Sequence, residues 1–189
     1  MRRRHLPLLL IAGWFSRCAS PPLELFSLAA IPGTPVATGP RRIELRRIGL
    51  AAYLDRPEIV RAVVNYRLLV TDRDRWGEPP VRMLERVLLE NLVQRLPDAA
   101  VFAESGAIST RPDTILEIDI QRLDPDAAGV VVLLAQVAIR HDGALVPATA
   151  RTVRLTAVPA VADTAGLVGA MSAVLAGLGD VLAGALVNG

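Results

Sequence analysis

Apolar and polar residues recur along this chain with two different periods, and those periods divide it into elements. Between positions 81 and 96, "VRMLERVLLENLVQRL", Val81, Leu84, Leu88, Leu92 and Leu96 return at three- and four-residue steps, the spacing of one helix face. Arg82, Glu85, Arg86, Glu90, Gln94 and Arg95 take the other side. Glu78-Pro79-Pro80 suits a helix start and Pro97 a stop. A second helix is expected over 163–186, rich in Ala, Leu, Val and Gly, with Asp163 or Thr164 as its cap. Its composition is close to that of a membrane span. Glycines at 166, 169, 177, 179 and 184 weaken it, however, and Asp180 inside a bilayer costs roughly 2.5–3.5 kcal/mol. Packing on a sheet or on a neighbouring subunit is therefore expected, which leaves a homo-oligomer open.

The period of two belongs to strands. In "TILEIDIQRL", 114–123, Leu116, Ile118 and Ile120 share one face and Glu117, Asp119 and Gln121 the other. Asp124-Pro125-Asp126 and Gly129 make a turn, 130–139 forms a longer apolar strand, His141-Asp142-Gly143 turns again, and 150–158 returns as an antiparallel meander. Upstream, an extended patch covers 23–28, a loop 31–40 and a strand 42–50. Pro57 forbids a helix through "YLDRPEIV". Residues 59–70 form two extended pieces around Asn65, and "TDRDRWGEPP", 71–80, reads as a polar turn. The order of strands, helix, strands, helix predicts one α/β domain: a mixed, largely antiparallel sheet with two long helices packed on it.

The N-terminus changes the picture of charge. Met1-Arg2-Arg3-Arg4-His5 precedes a ten-residue apolar run, Leu6 to Phe15, the pattern of an export signal. Ten residues cover about 15 Å as helix, half a bilayer core. The chain thus divides into a signal peptide at 1–17, an anchor and tether with the first strand at 18–40, and the α/β domain at 41–189. Four arginines leave with the leader and no acid does, so the formal charge of +2 becomes −2. The basicity belongs to targeting, and nucleic-acid binding loses its support.

Cys18 is the single cysteine of the chain. It cannot form an internal disulfide or a thiolate metal site. Its place just after the apolar run suits acylation, and two or three acyl chains anchor a protein firmly. Arg17 stands where a processing peptidase takes a small residue, so cleavage nearby without lipid is the alternative.

Candidate chemistry is sparse. Glu117 and Asp119, about 7 Å apart on one strand face, are the one carboxylate pair suited to acid–base work, although a solvated strand face predicts the same pattern. Asp72 and Asp74 alternate with Arg73 and Arg75 beside Trp76, as a ligand loop or an exposed turn would. His141 lies in a turn with no second histidine near it. "AGLVGA" falls inside the tail helix, not in a strand-to-helix loop that cradles phosphate. No cofactor or metal is expected, and a binding or assembly role is favoured over an enzyme.

Three stretches together, "CASPPLELFSL", "RIELRRIGLAAYLDRPEIV" and "DRWGEPPVRMLERVLLENLVQRLP", resemble the ABC-type transport auxiliary lipoproteins of the YmbA/PqiC type. The matching residues are Cys18 before Ser-Pro-Pro, then Tyr53-Leu54-Asp55-Arg56-Pro57 with Ile59-Val60, then Trp76-Gly77-Glu78-Pro79. Arg17 departs from the family pattern before the cysteine, and Ala51 stands where proline is common. The resemblance implies a fold like the N-terminal domain of TolB. It also implies an outer-membrane lipoprotein facing the periplasm, lipidated at Cys18, that assists an ABC transporter and MCE-domain proteins in lipid traffic. Tyr53, Asp55, Arg56, Trp76 and Glu78 become candidate partner contacts, with local structural roles as the default reading: Asp55 and Arg56 pairing beside Pro57, Trp76 covering the helix start and Glu78 at its positive end. Two other readings stand beside it. A soluble carrier of a lipid or small hydrophobic molecule requires an enclosed apolar cavity of several hundred Å³, and a hydrolase requires Glu117 and Asp119 in a sheltered site.

Overall fold

The computed structural model describes residues 22–37, 39–64, 67–108, 110–141 and 149–188; the leader and Cys18 lie outside them. Two sheets and two helices share one core. A three-stranded sheet holds β1 (Glu24–Phe26), β4 (Glu58–Val64) and β5 (Arg67–Trp76) in the order β1-β5-β4. A six-stranded sheet holds β2 (Arg42–Leu45), β6 (Ala100–Ala103), β7 (Thr114–Pro125), β8 (Val131–His141) and β9 (Thr149–Ala157) in the order β6-β2-β7-β8-β9, with β3 (Gly49–Leu50) also paired to β7. Helices α1 (Pro80–Arg95) and α2 (Thr164–Asn188) cover one face of it.

The expected meander is present. β7, β8 and β9 pair antiparallel along nearly their whole lengths, with a register shift between Ile120 and Arg122. β2, β3 and β6 add parallel pairs. Alternation sets the faces: Leu116, Ile118 and Ile120 are buried beneath the helices, while Glu117, Asp119 and Gln121 look away from them. Leu133, Ala135 and Val137 continue the buried row on β8.

Three expectations need correction. Residues 71–76 are not a turn but the second half of β5, whose Asp74–Trp76 pair with β1 and whose Arg75 pairs with Glu58 on β4. Charged residues suit that stretch because β5 there pairs through its backbone while its side chains ion-pair across the ribbon. The strand expected at 42–50 breaks at 46–48 into β2 and β3, and Ile48 in the break is buried. β6 has no counterpart in the reading above; four residues are too few to show a period.

Both helices follow their patterns. Pro79 and Pro80 open α1, where a missing N–H costs nothing. Asp163 caps α2: its Oδ1 accepts from the Gly166 N–H at 2.7 Å. Residues Thr164–Val187 are long and apolar enough to cross a bilayer by length and composition, yet 61 % of an 18-residue apolar stretch within them is buried inside the fold.

One assignment within α1 is wrong in an informative way. Arg95, placed on the polar face by periodicity, is 1 % exposed. Its Nε donates to Asp180 Oδ1 of α2 at 2.6 Å, and its Nη1 donates to Ile31 O (3.2 Å), Asn91 O (3.1 Å) and Asn91 Oδ1 (3.2 Å). Gly33 lies against the guanidinium, where an added Cβ would sit 2.3 Å from Cζ, and Gly179 closes from α2. Glu85 is buried as well, holding Arg82 at 2.9 Å and Ser105 at 2.6 Å.

Removing the Arg95 fork leaves buried carbonyls without a donor. Arg95→Ala is expected to lower stability by about 3 kcal/mol. Asp180→Asn is expected to cost about 1 kcal/mol, because Asp180 is half exposed and the amide oxygen still accepts. Urea midpoints of the two variants give the order; equal losses would mean that the fork itself contributes nothing.

Candidate functional site

The motif residues converge on one corner, where the chain leaves β3, turns at 51–57 and enters β4, and where β5 passes into α1. Pro57 sets that turn. The Ala51 N–H donates to Ile120 O at 2.9 Å, the Leu54 N–H to Ala51 O at 2.8 Å, and the Trp76 N–H to Pro57 O at 2.8 Å, so the turn is tied to both sheets. Leu54 points inward at 8 % exposure.

Tyr53 is half-buried, and its hydroxyl donates to Asp124 Oδ2 at 2.8 Å. Asp124 is 1 % exposed, and its other oxygen accepts from Arg122 Nε at 2.5 Å. Burial first, then the hydrogen bond to Asp124, pushes the Tyr53 hydroxyl well above the ordinary tyrosine range. Arg56 Nε donates to Glu58 Oε2 at 3.0 Å, and Arg75 lies 3.7 Å from the other oxygen. The Arg56 hydrogen bond is the main reason that the Glu58 carboxyl is held below its usual range. Glu78 accepts from Arg86 Nη2 at 2.5 Å, and that bond raises Arg86. Trp76 is half-buried over Leu28, Leu50, Val60, Met83 and Leu84. Of the five candidate contacts, Asp55 is the exposed one; the other four meet residues of their own chain.

The half-open crevice beneath Trp76 holds about 20 Å³, room for about one water and far below the volume that a carrier requires. Larger depressions, of 440–470 Å³, lie open on the surface. Glu117 and Asp119 line one of these, on the sheet face away from the helices. Glu117 is held by Arg46 (3.3 Å) and Arg140 (3.1 Å), and Asp119 is exposed with Oδ1 against Gly49. The pair therefore lies in an open depression with Glu117 already ion-paired to two arginines, which gives the hydrolase reading no support. His141 ends β8, exposed, with Nδ1 2.9 Å from Thr114 Oγ1. Among the described residues no three metal-ligating side chains cluster.

Asp124 and Arg122, the inner partners of Tyr53, were not found by sequence reasoning. Asp124 lies in an Asp-Pro-Asp run that signals a turn, and nothing local marks it as buried. The signal that would have found it is pairing across 71 residues with Tyr53.

The model of the ABC-type transport auxiliary lipoprotein component family matches residues 26–183, and this chain belongs to that family. No curated protein is similar enough in sequence to count as a relative. A crystal structure of an uncharacterized protein superposes with a TM-score of 0.71 at 15 % identity, covering 86 % of this chain and 97 % of that one. Protein XCC0632 from Xanthomonas campestris, of the DUF330 family, gives 0.70 at 21 % identity, covering 87 % and 94 %. Both share the fold. The expected architecture and the resemblance read from the motifs are thereby borne out.

The Tyr53 environment has a direct spectroscopic consequence. The chain holds two tyrosines, Tyr53 and Tyr66, so Tyr66→Phe isolates Tyr53. Its folded-state pKa lies above its unfolded value, so its contribution to stability is complete below about pH 10 and is lost as pH rises through the folded value. Phenolate absorbance of Tyr66→Phe is therefore expected to appear only together with alkaline unfolding; a free titration near pH 10 would contradict the buried hydrogen bond.

Proposed function

We propose that this protein is a non-enzymatic, lipid-anchored component on the periplasmic face of the outer membrane. It supports an ABC/MCE-type lipid transport system by docking an MCE-domain protein and the transporter components. The match to the transport auxiliary lipoprotein family over 26–183 carries this reading. The matched region begins eight residues after Cys18, the proposed acylation site. The narrow crevice beneath Trp76 supports action by contact over carriage, since about 20 Å³ accommodates no acyl chain. The exposed Asp55 and its neighbour Arg56, on a turn fixed to both sheets, are the proposed docking residues; Tyr53, Trp76 and Glu78 hold that turn and the helix start in shape.

Two measurements test this. Labelling with a palmitate analogue is expected in the native chain and absent in Cys18→Ala; equal labelling in both would remove Cys18 as the anchor. Detergent-extracted protein is expected to bring MCE and ABC components with it. Asp55→Arg is expected to reduce their recovery severalfold without lowering the melting temperature, because Asp55 is exposed. Full recovery with Asp55→Arg would move the docking surface elsewhere.

A further inference from the structure

The β4–β5 ribbon extends past the strand that supports it. β1 pairs only with Asp74–Trp76, so Arg67–Val70 of β5 pair with β4 alone. Leu68 and Leu69 lie in that outer part, 39 % and 48 % exposed. They are consecutive, so they project from opposite faces of the ribbon. A ribbon laid on a protein body buries one face and keeps the other polar; leucine exposed on both faces suits surroundings that are apolar on all sides. Val158 and Val161, 76 % and 54 % exposed, flank the crevice that Arg61 of β4 shares with the start of α2.

The direction of the chain supplies the second observation. β1 runs parallel to β5, with Glu24 opposite Asp74. The polypeptide therefore enters β1 from the side of the ribbon's outer end. Cys18 stands six positions before Glu24, and Leu68 six before Asp74. Each span covers about 20 Å extended, so Cys18 reaches as far as Leu68.

We propose that the outer end of the β4–β5 ribbon is a second membrane contact, which seats Leu68 and Leu69 in the interfacial layer of a phospholipid bilayer beside the acylated N-terminus. Arg67 borders the leucines and Arg73 lies further along β5; both are exposed and placed to meet lipid phosphates, with Asp72 the acid between them. The proposal rests on the anchoring reading above. It adds orientation: one acylated residue lets a body swivel, whereas a second contact at the ribbon end beside it fixes which face looks into the periplasm.

The test uses the full mature chain, reconstituted in phosphatidylethanolamine/phosphatidylglycerol vesicles. A polarity-sensitive fluorophore is placed at Leu69→Cys and, for comparison, at Asp98→Cys, exposed at the far end of α1. Intact mass reports acylation of Cys18 in the same preparations. The expected result is a blue-shifted emission at position 69, quenched severalfold more strongly by doxyl-labelled lipid than at position 98. Water-like emission at position 69 in acylated protein overturns the proposal and leaves the anchor intact. So does emission that shifts only when MCE or ABC components are added, which would make the ribbon a protein interface. Shifted emission in protein of unacylated mass supports the ribbon contact and overturns the anchor; unshifted emission in unacylated protein overturns both.

Discussion

The guanidinium of Arg95 is where the separate parts of this structure meet. It is 1 % exposed, comes from α1, pairs with Asp180 of α2 and donates to Ile31 of the N-terminal segment. A buried cation is tolerated only when it is paired and its protons are used. Here Nε and Nη1 reach four oxygens on three segments, through a planar fork that a lysine lacks. Once the fork is satisfied, the crossing of α1 and α2, the glycine contacts at 33 and 179, and the path of residues 28–36 follow from it.

That path matters because residues 28–36 belong to no strand. Their backbone donors are taken by helix atoms instead: Leu28 N–H by Met83 Sδ, Ala29 N–H by Ser172 Oγ, Ile31 N–H by Asn91 Oδ1 and Val36 N–H by Arg95 O. From β1 onward this segment is fastened to the helices.

The elements legible in sequence were those whose burial has a period. α1 and β7 show theirs over nine or more residues, α2 and β8 stood out as long apolar runs, and Pro57 marks its turn by backbone chemistry alone. Elements defined by a distant partner were not legible. The charges of Thr71–Trp76 resemble a turn until β1, 50 residues earlier, is laid beside them. Arg95 has the look of a surface residue on its own helix, and only the arrival of Asp180 and Ile31 makes burial affordable. Asp124 is buried for the same reason, through Tyr53 and Arg122. At the motif corner, the residues themselves stood out in sequence, but the inward turn of Tyr53 did not, because its hydrogen-bond partner Asp124 lies 71 residues away.

Within a family of transport auxiliaries, a filled core, a corner stiffened by Tyr53–Asp124 and Arg56–Glu58, and an N-terminal segment fastened to the helices describe a rigid body suited to contact. The central claim is that fastening, and hydrogen exchange at single amides reads it. The amides of Ala29, Ile31 and Val36 are predicted to exchange as slowly as those in the middle of α1, opening only with the whole domain. Exchange at the rate of an unstructured peptide at these three positions would show a loose tether and contradict the account.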